Sequence, residues 1–434
     1  MLQKGDKKLI GAWTFYDWAN SVYPLVITTA VFPLYYSAVT GGDDKSLSLF
    51  GQSITFTQLY TYTLSLSFLI VAFISPILSS IADYMGNKKR FMQFFLYLGS
   101  LSVMALYFFE SIDTLWVGIT FSITASIGFW GSLVFYNAYL PEVAFPEDQD
   151  AVSAKGYIKG YIGSVILLLF ILSMIMMPDW YGFKESGMAS RIAFVIVGVW
   201  WLGFAQYTLI HLPYNTHKRK PEKDFIFKGY RELRQVLREL KNQYSLKVFL
   251  ISFFLFSAGV QTIIALAALF GDKELKLPTS NLIITILVVQ LVAVVGAMVF
   301  SKISKKIGNI TTLKITLVIW ILVTFAAYLL PGESPNVNMY FYALGGFLGF
   351  VLGATQTIAR STYSKLMPEN TVDTATYFSF YDVTEKLAIV LGTATFGALV
   401  GITKSMRTSV LVLAIFFFIG LIVLFFMKRT KHVE

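Results

Sequence analysis

The chain lacks cysteine, is poor in histidine and carries little charge. None of its 434 residues is cysteine, which excludes disulfides, iron–sulfur clusters and cysteine-ligated zinc sites. Its three histidines, His211, His217 and His432, lie at or outside predicted helix ends, so we expect no metal site and no cofactor. The sequence contains no P-loop, GxSxG or HExxH pattern, and its loops are too short for an enzyme domain. We therefore expect no enzymatic activity.

The low charge content determines the class of protein. Only 14% of the residues are charged and 56% are hydrophobic, whereas soluble domains carry about 25% charged residues. Apolar windows of about 18 residues or more, the length needed to cross a bilayer, recur along the chain. The sequence thus predicts an all-α membrane protein with twelve spans. The predicted spans are 10–38, 56–82, 91–110, 114–138, 156–178, 190–211, 247–270, 280–300, 311–331, 339–366, 375–401 and 406–427.

The basic residues predict the orientation of these spans. With a cytoplasmic N-terminus, the cytoplasmic segments hold 26 Lys and Arg residues and the outer loops hold seven. This bias indicates that both termini are cytoplasmic. It also accounts for the net charge of +10 without a nucleic-acid partner. We expect an N-terminal six-helix half (1–211), a cytoplasmic linker (212–246) and a C-terminal six-helix half (247–434).

The predicted linker contains an amphipathic helix. Its pattern favours a helix lying on the anionic inner leaflet, and a regulatory docking helix is the alternative. The apolar stripe consists of Tyr230, Leu233, Leu237, Leu240 and Tyr244, and the basic side of Arg231, Arg234, Arg238 and Lys241.

Two landmarks recur six spans apart. A Gly-Asn turn follows the second predicted span at Gly86 and the eighth at Gly308, although the second copy lacks the aspartate found at Asp83. The fourth predicted span ends in the run Tyr136 to Glu142 and the tenth in Tyr363 to Glu369. These landmarks predict two homologous halves in the same orientation, the parallel repeat of major facilitator transporters.

Several motifs carry a family resemblance. The turn ADYMGNKKR at 82–90 resembles the loop 2–3 motif of the major facilitator superfamily, with Ser79 in place of the leading glycine. The run YDWANSVYPLVITTAVFPLYY at 16–36 closely resembles the opening span of its vacuolar-effluxer-like branch, which includes fungal vacuolar amino-acid exporters. Matches continue at 140–164, from Gln356 to Ser361, and at 377–392, where Ser379 replaces a glycine.

This resemblance implies a major facilitator fold that works by rocker-switch alternating access. It implies that the first and fourth helices of each half, predicted spans 1, 4, 7 and 10, line a central cavity. It also implies a gate in the 82–90 turn, formed by Asp83, Gly86 and Arg90, in which the aspartate caps a helix of the other half.

Polar side chains inside the predicted spans are the candidate substrate ligands. A carboxylate in hydrocarbon costs a few kcal/mol or more and must face protein or water. Asp17 is therefore a proton or cation site, a ligand for a substrate amine, or a structural partner of a buried base. Arg360 binds a substrate carboxylate or extends to the inner surface. The candidate set is Tyr16, Asp17, Asn20, Trp130, Asn137, Gln261, Gln356 and Arg360.

Predicted span 11 carries three ionisable residues. Asp382 and Lys386 are four residues apart with the acid first, the spacing of a helical ion pair, and we interpret them as a structural pair. Glu385 is then the surplus acid and a candidate proton carrier. For proton coupling the candidates are Asp17, Asp382 and Glu385.

Together these features predict a secondary transporter that exports a small polar solute, an amino acid or similar, with protons as the candidate coupling ion. The alternatives are a multidrug exporter and a non-transporting receptor or lipid-handling protein on the same scaffold. We expect a monomer in the cytoplasmic (inner) membrane, in contact with membrane lipids.

Overall fold

Long apolar helices make up most of the protein. The computed structural model describes residues 3–42, 45–49, 52–183, 185–214, 225–332, 334–368, 371–403 and 405–428. Within these ranges twelve helices are long and apolar enough to cross a membrane, which confirms the predicted fold class. These helices, called spans 1 to 12 in chain order, are Lys7–Thr40, Phe56–Met85, Lys88–Phe108, Ile112–Val143, Pro146–Met176, Ser186–His211, Tyr244–Lys273, Thr279–Ile307, Asn309–Leu329, Val337–Leu366, Thr374–Thr403 and Met406–Phe425.

The largest difference from the predicted boundaries is in span 5, and one hairpin was not predicted. Span 5 begins ten residues earlier, at Pro146 rather than 156, because its polar first turns pack against protein and need no apolar sequence. A short antiparallel hairpin, Ser46–Leu49 with Gln52–Thr55, separates spans 1 and 2. Each strand has only four residues, shorter than the usual length of about five or six, and neither was predicted.

Span 1 is not α-helical throughout. It runs as an α-helix over Lys7–Asn20, a π-helix over Tyr23–Val31 and an α-helix over Phe32–Thr40. Pro24 has no amide hydrogen, and its carbonyl accepts the hydroxyls of Thr28 and Thr29 at 2.7 and 2.8 Å. Since a π-helix closes i to i+5 bonds, side chains three or four positions apart do not share one face through Tyr23–Val31 as they do in an α-helix.

Glycines allow spans 8 and 10 to approach closely. A Cβ on Gly349 would lie 2.2 Å from the carbonyl oxygen of Val289, and one on Gly353 would lie 2.0 Å from that of Ala293. Any larger residue would force these backbones apart. Small residues four positions apart are the usual basis of such close packing between membrane helices.

The helix Phe225–Asn242 in the linker docks on the bundle. Gly229 lies against Ile81 of span 2, and the Tyr377 hydroxyl of span 11 donates to Glu239 Oε2 at 2.9 Å. The buried face contains Leu233, Val236 and Leu240, whereas Tyr230, Leu237 and Tyr244 of the predicted apolar stripe are exposed. In this structure the helix is docked on protein, the alternative that the amphipathic pattern left open. The predicted linker residues 215–224 lie outside the described residues.

Successive spans run in opposite directions. The linker, which follows span 6, therefore lies at the same face as the C-terminal ends of spans 2, 4, 8 and 10. We call this face the linker face. Spans 1 to 6 are called the N-terminal half, and spans 7 to 12 the C-terminal half.

Candidate functional site

A buried ion pair joins the two halves. Asp17 of span 1 and Arg360 of span 10 retain only 4% and 2% of their surface exposed. The two terminal guanidinium nitrogens of Arg360 each lie 3.3 Å from Asp17 Oδ2. The acid comes from the N-terminal half and the base from the C-terminal half, so the pair opens only if the halves separate here.

Further contacts orient the Arg360 guanidinium. Its Nε donates to Ser153 Oγ at 3.0 Å and a terminal nitrogen donates to the Ser153 carbonyl at 2.9 Å. Asn137 Oδ1 accepts a longer bond of 3.4 Å. The guanidinium carbon lies 4.0 Å from the ring centroid of Tyr157, a cation–π distance. Spans 4 and 5 thus hold the base in one orientation.

Span 5 makes room for this pair through a glycine. The Tyr136 hydroxyl donates to Asp17 Oδ2 at 2.8 Å, so this oxygen is shared between tyrosine and arginine. A Cβ on Gly156 would lie 2.2 Å from the same oxygen and 3.0 Å from an Arg360 nitrogen. Gly156 therefore belongs to the site, because only a residue without a side chain fits there.

The chemistry of the pair is that of reversible charge recognition. A carboxylate suits an ammonium group, and a guanidinium fork suits a carboxylate. Each group is neutralised by the other in this structure. Removing one partner of a buried pair costs about 3–5 kcal/mol, so an opened pair requires a replacement charge.

A second polar cluster links spans 4, 7 and 11. The Lys386 ammonium lies 2.9 Å from Asp382 Oδ1, 3.5 Å from Glu385 Oε2 and 3.3 Å from the ring centroid of Trp130. Gln261 donates to Glu385 Oε1 at 2.8 Å. Lys386 is buried, while Glu385 and Trp130 are partly exposed. The cluster brings together four candidates from the predicted binding and coupling sets with the predicted pair partner Lys386.

Asp83 caps a helix of the other half at the linker face. Its Oδ2 accepts the amide and hydroxyl of Thr376 at 2.7 and 2.8 Å, and its Oδ1 accepts the Ala375 amide at 3.3 Å. A carboxylate is favourable at the positive N-terminal end of span 11. The turn after Asp83 has Gly86 at φ +62°, a left-handed conformation that favours glycine.

The buried base next to this helix cap is Lys88 rather than the predicted gating residue Arg90. The Lys88 ammonium is buried, forms an ion pair with Glu142 and donates to Thr374 Oγ1 at 2.7 Å. The resemblance implies Arg90, but this side chain is exposed. The reason is helical geometry, since two residues are about 200° apart around span 3 and point in nearly opposite directions.

A second cluster at the linker face uses a carboxylate that the repeat did not predict. Asp150 at the start of span 5 forms an ion pair with Lys365 at 2.9 Å. It also accepts Ser304 Oγ and Asn309 Nδ2 at 2.8 Å each. The second half lacks a counterpart of Asp83, and here the acid is supplied from the opposite half.

Comparison with known proteins identifies the chain. The family model described as "Vacuole effluxer Atg22 like" matches residues 5–434. The chain belongs to this Atg22-like family.

Relatives of the Atg22-like chain cover nearly all of it. It is 31% identical over its whole length to an uncharacterized MFS-type transporter, YxiO of Bacillus subtilis, of which 98% is covered. It is 25% identical to autophagy-related protein 22 of Kluyveromyces lactis, over 96% of this chain and 92% of the relative. These relatives confirm the resemblance seen in the opening span.

Solved structures confirm the fold of the Atg22-like chain. The transporter FucP in its outward conformation matches with a TM-score of 0.72, 13% identity and 98% of both chains covered. The proton:xylose symporter XylE matches with the same score and identity, over 98% of this chain and 97% of its own. The fold is that of the major facilitator superfamily, and family and fold together point to a membrane transporter rather than an enzyme.

Of the remaining predicted ligands of the Atg22-like chain, Tyr16 packs near the ion pair, whereas Asn20 and Gln356 bond to other side chains. Tyr16 is fully buried with its ring centroid 4.8 Å from that of Tyr136. Asn20 is buried and its Oδ1 accepts the Ser21 hydroxyl at 3.5 Å. Gln356 is partly exposed and accepts the Tyr161 hydroxyl. Tyr16 therefore packs against Tyr136, the tyrosine that donates to Asp17.

Sequence reasoning missed the contribution of span 5. Ser153, Gly156, Tyr157 and Tyr161 all contact the ion pair or Gln356. The first two of the four preceded or only began the predicted span, so they were not considered as ligands. Their spacing of three, one and four residues on one helical face was the available signal.

No metal centre emerges in the part of the chain that the structure describes. There, no group of three or more His, Asp or Glu side chains is arranged to hold an ion.

Proposed function

We propose that this Atg22-like chain is a secondary transporter of a small zwitterion, an amino acid or a similar compound. The observation that carries the proposal is the buried Asp17–Arg360 pair between the halves. A zwitterion offers an ammonium to Asp17 and a carboxylate to the Arg360 fork. It thereby replaces both charges that are lost when the pair opens.

Alternating access follows from where the halves are joined. Asp83 on span 2 and Asp150 on span 5 each bond to the C-terminal half at the linker face. For this face to open, both clusters and the Asp17–Arg360 pair have to separate. Solute binding offsets the cost at the pair, so substrate and opening are coupled.

We further propose that the structure is the outward-facing state. The bias of Lys and Arg residues supports a cytoplasmic linker face, and that face is closed here. The outward conformation of the matching FucP structure supports this orientation. We propose a monomer in the cytoplasmic membrane, in contact with its lipids.

Direction and coupling are proposed on separate grounds. Export is supported by the description of the family as vacuole effluxers. Proton coupling is proposed through Glu385, which is partly exposed and bonded to Gln261, or through Asp17 when the pair with Arg360 opens.

Counterflow in proteoliposomes tests the proposal. The purified protein is reconstituted with an unlabelled amino-acid panel inside, and uptake of the same labelled amino acids is measured. We expect uptake above empty liposomes, and a fall of tenfold or more for Asp17→Asn and for Arg360→Lys. The matched control is Glu110→Gln, which changes an exposed carboxylate paired with Arg191 in the N-terminal half and is expected to retain uptake.

Two results would replace the proposal by an alternative. Ligand binding without movement of any solute would favour a receptor or lipid-handling protein. Movement of large apolar cations without any amino acid would favour a multidrug exporter. Unchanged uptake in both variants would remove the ion pair from the transport site.

A further inference from the structure

The Lys386 ammonium occupies a preformed cation site. It lies 3.3 Å from the centroid of the Trp130 indole, and two carboxylates, Asp382 and Glu385, lie 2.9 and 3.5 Å away. An aromatic face combined with carboxylates is the arrangement by which proteins bind amines. The indole belongs to the N-terminal half and the carboxylates to the C-terminal half, so the site lies between the two halves.

The cluster has more acceptor capacity than Lys386 uses. Asp382 is 6% exposed, and its Oδ2 has no hydrogen-bond partner among the described residues. Buried polar atoms usually have a partner. An unpartnered oxygen beside an ammonium group therefore indicates room for a second donor.

The charges of the two clusters do not cancel. Asp17 and Arg360 neutralise each other, whereas Asp382 and Glu385 face the single base Lys386. With Asp382, Glu385 and Lys386 all ionised, the Lys386 cluster carries a net charge of −1. A zwitterion leaves this excess in place, and a solute with one additional positive charge cancels it.

Tyr157 connects the two clusters. Its ring stacks on the Arg360 guanidinium at 4.0 Å, and it interacts electrostatically with Glu385 as well. Tyr157 is therefore close enough to both clusters to interact with one charged group of each.

We propose that Trp130, Asp382 and Glu385 form an ammonium subsite that Lys386 fills when no solute is bound, and that the transported solutes are cationic amines such as basic amino acids. This inference rests on the proposed function and names its substrate class. The solute ammonium replaces the Lys386 ammonium in contact with the face of the Trp130 indole. The flexible Lys386 side chain withdraws and keeps its bond to Asp382, four residues away on the same helix.

The test compares two probes that differ by one amine. L-lysine and L-norleucine have the same carbon chain, and only L-lysine carries a side-chain ammonium. Inhibition of counterflow by each is measured in proteoliposomes for the wild type, Glu385→Gln and Trp130→Leu. Because Lys386→Met alone leaves buried acids unpaired, the double variant Asp382→Asn/Lys386→Met is measured in addition. The matched control is Glu274→Gln, which alters a half-buried carboxylate paired with Arg407 elsewhere in the C-terminal half.

We expect the wild type and Glu274→Gln to prefer L-lysine over L-norleucine by about tenfold, a difference of 1.4 kcal/mol. The preference falls towards unity in Glu385→Gln and Trp130→Leu. In the double variant it falls less than in Glu385→Gln, because one carboxylate of the subsite is lost while the competing ammonium is gone and Glu385 and Trp130 remain. A preference in Glu385→Gln equal to that of the wild type would overturn the subsite. Transport of L-norleucine with rejection of L-lysine would overturn it and leave the proposed function intact, whereas movement of neither probe nor any other amino acid would refute the proposed function itself.

Discussion

At the scale of single residues, the site depends on a position with no side chain. A Cβ on Gly156 would lie 2.2 Å from Asp17 Oδ2, well inside contact distance. The obstructing atom is a carboxylate held by two donors, Tyr136 and Arg360. It cannot move without breaking those bonds.

Gly156→Ala is therefore expected to destabilise the protein by about 1–3 kcal/mol, the usual cost of overpacking, and to reduce counterflow. Thermal unfolding in detergent measures the first effect. Gly203→Ala is the control, because no atom lies within 4 Å of a Cβ at this position on span 6, and its unfolding temperature should equal that of the wild type or exceed it slightly. A stable, fully active Gly156→Ala variant would contradict the geometry.

The energetics of the ion pair predict non-additive mutations. Asp17→Asn leaves Arg360 charged, buried and unpaired, and Arg360→Gln leaves Asp17 in the same condition. Each single variant is expected to lose about 3–5 kcal/mol of stability. The double variant contains no unpaired charge. We expect it to unfold at a higher temperature than either single variant, a coupling of the kind that contacting residues show. Additive losses in thermal unfolding would mean that the two residues do not interact.

At the scale of elements, the linker helix Phe225–Asn242 shows why an amphipathic pattern has two readings. Its buried face of Leu233, Val236 and Leu240 packs on protein, yet the neighbouring stripe of exposed Tyr230 and Leu237 would suit a membrane surface equally well. Hydrophobicity alone does not distinguish lipid from protein as the covering partner.

The absence of cysteine makes the docked position directly testable. A Cβ on Gly229 would lie 3.3 Å from the Ile81 Cα, within reach of a disulfide. We expect Ile81→Cys/Gly229→Cys to cross-link rapidly under mild oxidation. Ile81→Cys/Leu237→Cys is the control and should not, because Leu237 is on the exposed face. If both pairs cross-linked equally, or if neither pair cross-linked, the helix would have to lie elsewhere.

At the scale of the whole molecule, the two halves are closed at the linker face by charge. Asp83 caps span 11, Lys88 donates to Thr374 Oγ1 of the same helix, and Asp150 pairs with Lys365. In both places a carboxylate of the N-terminal half bonds to the C-terminal half, although the two carboxylates are not equivalent positions of the repeat. Each contact is lost when this face opens.

Weakening one of these contacts should shift the conformational equilibrium. Asp83→Asn removes the charge that faces the N-terminus of span 11, so we expect a larger population open at the linker face. Spin labels at the exposed Arg90 and Lys306 positions report the separation of the halves by pulsed electron paramagnetic resonance. The distribution should gain longer distances in Asp83→Asn and remain unchanged in the exposed control Asp113→Asn. Identical distributions in all three proteins would exclude Asp83 from the gate.

Much of the architecture could be predicted from local patterns. Apolar runs predicted the twelve spans, and the Gly-Asn turns at Gly86 and Gly308 both adopt positive φ values of 62° and 82°. The site was predicted less completely. Asp17 and Arg360 were both named as candidate ligands. Ser153 was not, because it lies in the polar start of span 5, which resembles a loop and preceded the predicted span.

By itself the sequence determined the class, the span count and the family, because a bilayer requires every span to be a continuous apolar segment that satisfies its own backbone. Only the tertiary structure decided that Asp17 meets Arg360, a residue 343 positions away. It likewise decided that Lys88 rather than Arg90 contacts the N-terminal end of span 11, and that the linker helix docks on protein. Those outcomes depend on how rigid helices from two halves are set against each other, which no short stretch of sequence encodes.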